Sequence, residues 1–565
     1  MTALVTALDN YTPSQIGENG HSEYTWSNNT RELILQLSFQ LTRTKDLTAL
    51  ADITDKILSQ ISTSYKLNNI TKDEYLGYMS IMFRLVGQTR DIIEGKGEYA
   101  LAYMLLAVWY KYHPNLARFA FDCFVLGDSH PYGSWKDVKG MIKYMEENKT
   151  GKDLVLYAIK LINSQLREDI DSSTPSLAAK WVPREKSSHF KLFVKLALDY
   201  FPEYILTAKS PEMVRRAETK AKMDYRKLIS SLNKKLDTVQ IYQCANTWSK
   251  IEPSKQTSIT MHKQKRAFLN KTKTGEQRSD LVDRIICAEK FEEFAQKAQN
   301  GEIAIKGKRI GLNDFTEEAR NIIDHSKQDL PEAQILNAQW LDNSHQTGKL
   351  GKMIAMVDVS GSMSGDPINA AIALGIRIAE KSLIGKRVMT FSATPQWVNL
   401  DDCDNFISMV KKVLVCDWGM NTNFMAALNL ILDAIVQRKL LPEDVEDMVL
   451  TILSDMQIDQ ADRNYTNMMD LIEQKYADAG MRIWKKPFKP PHILFWNLRS
   501  TSGFPSLSTQ KNVSMMSGFS PALLNLFCEE GMNALHSCTP WSLFLKTINA
   551  DRYKILEDRL REELQ

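Results

Sequence analysis

Cysteine is scarce in this chain, and what there is suits neither a disulfide scaffold nor a zinc ribbon. The seven cysteines, scattered from Cys123 to Cys538, are odd in number and form no CxxC pair. That pattern is expected of free thiols in a reducing compartment. The nine histidines are equally dispersed and form no HExxH. Long apolar runs are also missing. The longest nearly apolar stretch, Tyr99 to Tyr110, is too short to cross a bilayer and reads as a buried helix. The first residues, MTALVTALDNYTPSQ, lack a basic region followed by an apolar core, so no secretory signal is expected. The segment GKGE lacks the GxxxxGK[ST] spacing of a phosphate loop and follows no strand. It reads as the approach to a helix after Gly97, with Lys96 expected to face the lumen of a helical ring. No RNP motif, KH loop or zinc knuckle is present.

What is there describes a globular protein of two or three domains. The chain has 565 residues, 44% of them apolar and 25% charged. The net charge of +3 is unevenly spread. Between Phe201 and Asp280, 17 Lys or Arg stand against 8 Asp or Glu. A positive region on a slightly acidic background suits a polyanion, and equally suits a solvated helix face.

Apolar residues recur every three or four positions in TRELILQLSFQLTRT, EYLGYMSIMFRLVGQ and KDLVLYAIKLINSQL. Short breakers such as HPN, NKTGK and STPS separate these helices. Residues 26–271 therefore read as an irregular α-solenoid or a compact bundle, after an N-terminal extension over 1–25. Residues 272–349 read as a connector with two helices and, in NGEIAIKGKRIG, a hairpin or exposed loop. From 350 to 565 the pattern changes. KMIAMVDV, KRVMTFS, DMVLTILSD, HILFWNL and NVSMMSG are strand candidates, several of them separated by amphipathic helices. Apolar strands alternating with helices imply a mostly parallel sheet covered on both faces. Ligands of such folds bind beyond the carboxyl ends of the strands.

Asp358 is placed at such an end. MIAMVDVSGSMSG closes an apolar strand on a carboxylate and then supplies Ser360 and Ser362. A carboxylate and two hydroxyls make a hard oxygen set suited to Mg²⁺, Mn²⁺ or Ca²⁺. Gly361 and Gly365 give the loop backbone freedom. Thr422 in WGMNTNF and Asp455 in LTILSDMQID offer two further hard oxygens at loops on the same side of the sheet. No nucleophile–base pair is obvious in the sequence, although such sites assemble in space.

This constellation resembles the metal-ion-dependent adhesion site of von Willebrand factor A domains, whose DxSxS, distant Thr and distant Asp fall here on Asp358, Ser360, Ser362, Thr422 and Asp455. The resemblance implies a Rossmann-like α/β fold. It also implies a divalent cation, Mg²⁺ foremost, with a coordination position open to a partner's carboxylate. A helical region followed by such a domain is similar to the Ro autoantigen, whose helical part is the TROVE module. GSWKDV, from Gly133 to Val138, resembles the segment that opens an RNA-contacting helix there. SGFSPALLNLF resembles its terminal helix. The chain is more closely similar to an uncharacterised family of cellular and large-virus proteins that joins a TROVE-like, HEAT-like helical region to an A domain. RDIIEGKGE, YGSWKDV, KWVPREKS, DYRKLISSLNKKL and WNLRS carry that likeness.

The Ro resemblance implies RNA, and basic segments with interleaved aromatics are candidates for it. Lys180, Arg184 and His189 lie beside Trp181 and Phe190 in KWVPREKSSHF. Arg226, Lys227, Lys234 and Lys235 follow, then Lys263, Lys265 and Arg266, with Lys136 near the path. Cations beside aromatics suit phosphate contact and base stacking on single-stranded RNA. The expectation is therefore a non-enzymatic, cytoplasmic RNA-binding scaffold, a ribonucleoprotein component that binds single-stranded or structured RNA. The setting becomes host cytoplasm or virion if the protein is viral. Two rivals stand beside it. One is a protein-interaction or virion structural component that works through the A domain. The other is a metal-dependent RNA-processing enzyme, which the paired carboxylates of two-metal cleavage would favour and which one open metal does not.

Overall fold

The structure, a computed structural model, describes residues 12–17, 20, 22–44, 46–127, 130–325, 330–391, 395–416, 424–445, 447–457, 468–501, 503–528 and 537–565. The chain is mostly helical, with one mixed sheet in its C-terminal part. A short hairpin pairs β1, Ser14–Ile16, with β2, Ser22–Tyr24. Helices then follow one another from Thr30–Gln40 to Pro331–Ser344. Several start where local chemistry dictates. Thr71 and Glu74 close a reciprocal capping box on Lys72–Arg90, and Ser210 caps Pro211–Lys235 with proline in the first turn. No helix among the described residues is long and apolar enough to cross a membrane.

The sheet has six strands, β3 (Met353–Asp358), β4 (Arg387–Phe391), β5 (Trp397–Asn399), β6 (Val449–Ser454), β7 (His492–Asn497) and β8 (Val513–Ser517). Their order is β5-β4-β3-β6-β7-β8, parallel throughout except for β5, which runs antiparallel at one edge. The five apolar segments read as strands are all strands. The edge strand β5 is three residues long and gives no periodic signal.

Every residue of β3, β6 and β7 is buried, and alternation sends their side chains to two different cores. Ile354, Met356, Ile452 and Phe495 face a large apolar cluster that runs on into Leu33, Phe83 and Trp109 of the helical region. Ala355, Val357, Leu453 and Trp496 face a second cluster with Ile372 and Ile376 of Asp366–Lys381 and Phe315 of Leu312–Asp324. The helical region and one face of the sheet thus share a continuous core.

The chain end returns to its beginning. The helix Lys554–Leu564 packs along Lys72–Arg90, and Leu556 fills the space over Gly87, where an added Cβ would lie 2.6 Å from it. Arg552 clamps Asp91 at 2.7 Å, and Tyr553 donates to the same carboxylate at 3.0 Å. The segment NGEIAIKGKRIG forms no strand. It is a packed loop in which Ile305 and Ile310 are buried, the Gly307 and Lys308 N–H groups donate to Asp342, and an added Cβ at Gly307 would collide with the carbonyl of Gln339.

Lys96 corrects an expectation. It faces no lumen. Its ammonium is buried between the carbonyls of Ser38 (2.6 Å) and Leu41 (3.0 Å) and the hydroxyl of Ser517 in β8 (2.7 Å). Burial pushes it down to about 7. Gly97 just beyond it has φ +71°, which lets the chain turn before the helix Ala100–Tyr112 begins.

Candidate metal centre and nucleic-acid interface

The strands β3 and β6 lie side by side in parallel, with Val357 opposite Leu453. That register sets the end of β3, Asp358, beside Ser454 at the end of β6, and Asp455 follows directly. Both carboxylates are fully buried. Asp358 is held from two sides: Oδ1 accepts the Ser360 N–H at 2.8 Å, and Oδ2 accepts the Ser454 hydroxyl at 2.6 Å. Burial pushes its carboxyl up to about 6, and the neighbouring Asp455 adds to the rise against those two hydrogen bonds. A tight turn over Gly361–Met363 then brings the Ser362 hydroxyl to 3.0 Å from that of Ser360. Met363 plugs the turn into the core, and Gly365 takes φ +93° to start Asp366–Lys381.

The structure therefore gathers Asp358, Ser360, Ser362 and Asp455 at one end of the sheet. Thr422 lies outside the described residues. The donor set is all oxygen with two buried carboxylates, and among the described residues Arg499 is the side-chain cation that pairs with it, through Asp455 alone. Its Nη1 lies 3.4 Å from Asp455 Oδ2 and donates to the Ser362 carbonyl at 3.0 Å. A hard cation fits this excess of buried negative charge. Ser454 and Arg499 join the site only through the fold. Ser454 was visible only as the residue before Asp455, and Arg499 only inside WNLRS.

The basic residues fall into three groups. The first converges on Trp181. The helix Lys136–Glu147 opens with Lys136, whose ammonium lies 4.6 Å from the centre of the Tyr99 ring and 5.9 Å from that of Trp181. Lys139, one turn on, is also 5.9 Å from Trp181. Lys180 precedes the indole and is half-buried. Burial, then mutual repulsion with Lys136, lowers Lys139, and burial lowers Lys180. His189 is lowered by burial and then by Lys139 and Lys143, so it shares the same positive field. The next residue, exposed Phe190, lies 5.9 Å from the Lys222 ammonium. No carboxylate pairs with Lys136, Lys139 or Lys180 among the described residues. Tyr99, Lys139, Lys143 and Lys222 are additions that sequence proximity did not give.

This patch rests on a buried ion pair. Arg90, at the end of Lys72–Arg90, meets Asp137 at 2.6 Å with both side chains inaccessible. Asp137 also accepts from Tyr103 Oη at 2.7 Å and from the Ser134 N–H at 2.8 Å. Gly133 is required here, since a Cβ would lie 2.4 Å from Asp137 Oδ2. The segments RDIIEGKGE and GSWKDV therefore meet in space and fix where Lys136 stands.

The second group lines Pro211–Lys235 and its surroundings. Arg226 pairs with Glu185 at 2.6 Å, Lys227 with Asp224 at 3.5 Å, and Lys235 donates to the Ile170 carbonyl at 2.7 Å. Arg184 and Lys234 are exposed. The third group sits on Ser258–Phe268, whose Met261 and Phe268 pack with Phe291 in a separate apolar cluster. Lys263 is exposed, and Arg266 lies 3.6 Å from Glu318. Lys265 is a correction. It is 2% exposed and 3.3 Å from Glu318, so its ammonium is turned inward and does not belong to any surface that meets a polyanion.

Two family models match the chain, each described as a domain of unknown function: DUF2828 over residues 152–352 and DUF7788 over residues 352–543. They meet one residue before β3 begins. The chain is also 26% identical over 572 residues to uncharacterized protein L728 of Acanthamoeba polyphaga mimivirus, an alignment covering 96% of this chain and 90% of that protein.

Proposed function

We propose that this protein is an RNA-binding scaffold of the TROVE type, in which a HEAT-like helical region holds single-stranded RNA and a von Willebrand A-like domain holds a divalent cation. The observation that carries the RNA half is the convergence of Lys136 and Lys139 on the half-buried indole of Trp181, beside Tyr99. Unpaired ammonium groups next to accessible aromatic faces are what a sugar–phosphate strand with unstacked bases requires. The second and third basic groups, largely committed to carboxylates and carbonyls, extend this surface through Arg184, Lys234 and Lys263.

The cation half rests on the paired buried carboxylates. Asp358, with Ser360 and Ser362, would hold Mg²⁺, and Asp455 and Thr422 would complete the set. Held by these residues, an ion would supply a Lewis-acidic position for a carboxylate of a partner.

The test is RNA binding by the whole protein across a salt series. Each phosphate neutralised contributes about 0.7 to the slope of log K against log salt for a single strand. Changing Lys136 and Lys139 together to Glu is expected to abolish most of the affinity at low salt. Binding that survives this double reversal unchanged removes the patch from the account. Absence of any binding at low salt gives first place to a protein-interaction or virion component acting through the cation site.

A further inference from the structure

Arg499 follows β7 by two residues and crosses the mouth of the candidate cation site. Its Nη1 donates to the Ser362 carbonyl at 3.0 Å and lies 3.4 Å from Asp455 Oδ2. Both acceptors belong to the segments assigned to the cation. The Asp455 side chain is fully buried, whereas that of Arg499 is 48% exposed, so the guanidinium has an open path into solvent. The segment carrying it is fixed from the helical region. Gln40 accepts the Thr501 N–H at 2.7 Å and donates to the Gly503 carbonyl at 3.2 Å, while Asn497 donates to the Phe39 carbonyl at 3.0 Å.

We infer that Arg499 is an internal counter-cation of this site, occupying the Asp455–Ser362 position when no divalent ion is bound and competing with the ion for it. The inference rests on the cation reading proposed above. Two buried carboxylates at neighbouring strand ends repel each other, and one guanidinium offsets half of their charge. A divalent ion offsets all of it. Ion and guanidinium together would bring like charges within a few ångströms in a poorly solvated pocket, so one excludes the other. Displaced, Arg499 stays at the mouth of the site with its planar fork free, suited to a carboxylate approaching the ion. Gln40 is a positioning residue, because it sets the backbone from which Arg499 reaches in.

The experiment titrates Mn²⁺ into the full-length protein and follows free Mn²⁺ by electron paramagnetic resonance. Wild type, Arg499→Gln, Arg499→Lys and Arg499→Gln with Asp358→Ala are compared. Removal of a competing charge makes Arg499→Gln bind about tenfold more tightly than wild type. Arg499→Lys keeps the charge and stays near wild type. The double variant loses binding. Thermal unfolding adds a second readout: in chelator Arg499→Gln melts below wild type, and saturating Mn²⁺ raises its melting temperature by the larger amount. Equal or weaker Mn²⁺ binding by Arg499→Gln, beside a wild type that binds, overturns the counter-cation and leaves the cation site standing. Tighter binding that survives Asp358→Ala also overturns it, because the ion then sits elsewhere. If neither wild type nor Arg499→Gln binds Mn²⁺, the cation reading fails and takes this inference with it.

Discussion

Arg90 and Asp137 meet as a buried ion pair 2.6 Å apart, joining the end of one helix to the first turn of another. The pair anchors the start of Lys136–Glu147 and, through it, the lysines over Trp181. Arg90 also lies 4.3 Å from the Tyr99 ring, so one guanidinium positions both an aromatic and a cationic component of the patch.

Breaking this pair from one side leaves a buried charge alone. Asp137→Ala is expected to destabilise the protein by roughly 3–5 kcal/mol. Denaturant unfolding of the full chain measures it. Gly133→Ala drives a Cβ into the same carboxylate and lowers stability in the same assay. A neutral result for both means that the pair is not what holds the patch.

Trp181→Ala tests stacking apart from charge. Loss of one stacked base costs about 1–3 kcal/mol of single-strand affinity. The slope of log K against log salt stays the same, because no phosphate contact is removed. Lys136→Gln does the reverse, lowering the slope by about 0.7. Fluorescence anisotropy at several salt concentrations separates the two effects.

Asp358→Ala is expected to abolish divalent-ion binding, since a buried carboxylate of the set is lost. Calorimetric titration with Mg²⁺ measures this. RNA affinity is expected to stay at the wild-type value, because among the described residues no hydrogen bond or ion pair joins the Trp181 patch to Asp358. A joint loss of both would show that the two sites are coupled or that the variant is misfolded, which circular dichroism distinguishes.

Chelation is expected to lower the melting temperature modestly. Loss of an ion present at a hundred times its dissociation constant removes about 2.7 kcal/mol. The core beneath the site is apolar on both faces of the sheet, so it is expected to stay folded without the ion. Outright unfolding in chelator would make the ion a structural staple instead of an interaction site.

Lys96 gives a pH dependence whose sign is fixed. Its folded value, pushed down by burial to about 7, lies below its ordinary value. Between about 7 and 10 the unfolded chain holds the extra proton, so stability rises with pH and is lost as pH falls through 7. Lys96→Met removes the ammonium from the Ser38 and Leu41 carbonyls; Ser38 keeps the Ser517 hydroxyl at 2.9 Å, so a cost of about 1–3 kcal/mol falls mainly on Leu41. It also removes the titration. The melting-temperature gap between wild type and Lys96→Met should therefore widen from pH 7 to pH 9.5. A gap constant with pH would show that Lys96 keeps its proton.

Sequence alone determined the alternation of secondary structure and the first half of the candidate cation site. Strands buried on both faces read as continuous apolar runs, and amphipathic helices show their period locally, so the strands from β3 to β8 were visible except the three-residue β5. Asp358, Ser360 and Ser362 are adjacent in the chain, and Asp455 ends an apolar strand just as Asp358 does. Only the tertiary structure decided the rest, because those features join residues with no sequence relation. Tyr99, Lys139 and Trp181 lie on three separate segments, the first two joined by the Arg90–Asp137 pair. Lys265 sits in a basic run like its neighbours, and only its placement opposite Glu318 on another helix turns it inward. Arg499 carries no local signal for its place beside Asp455, which follows from β7 ending next to β6 in register.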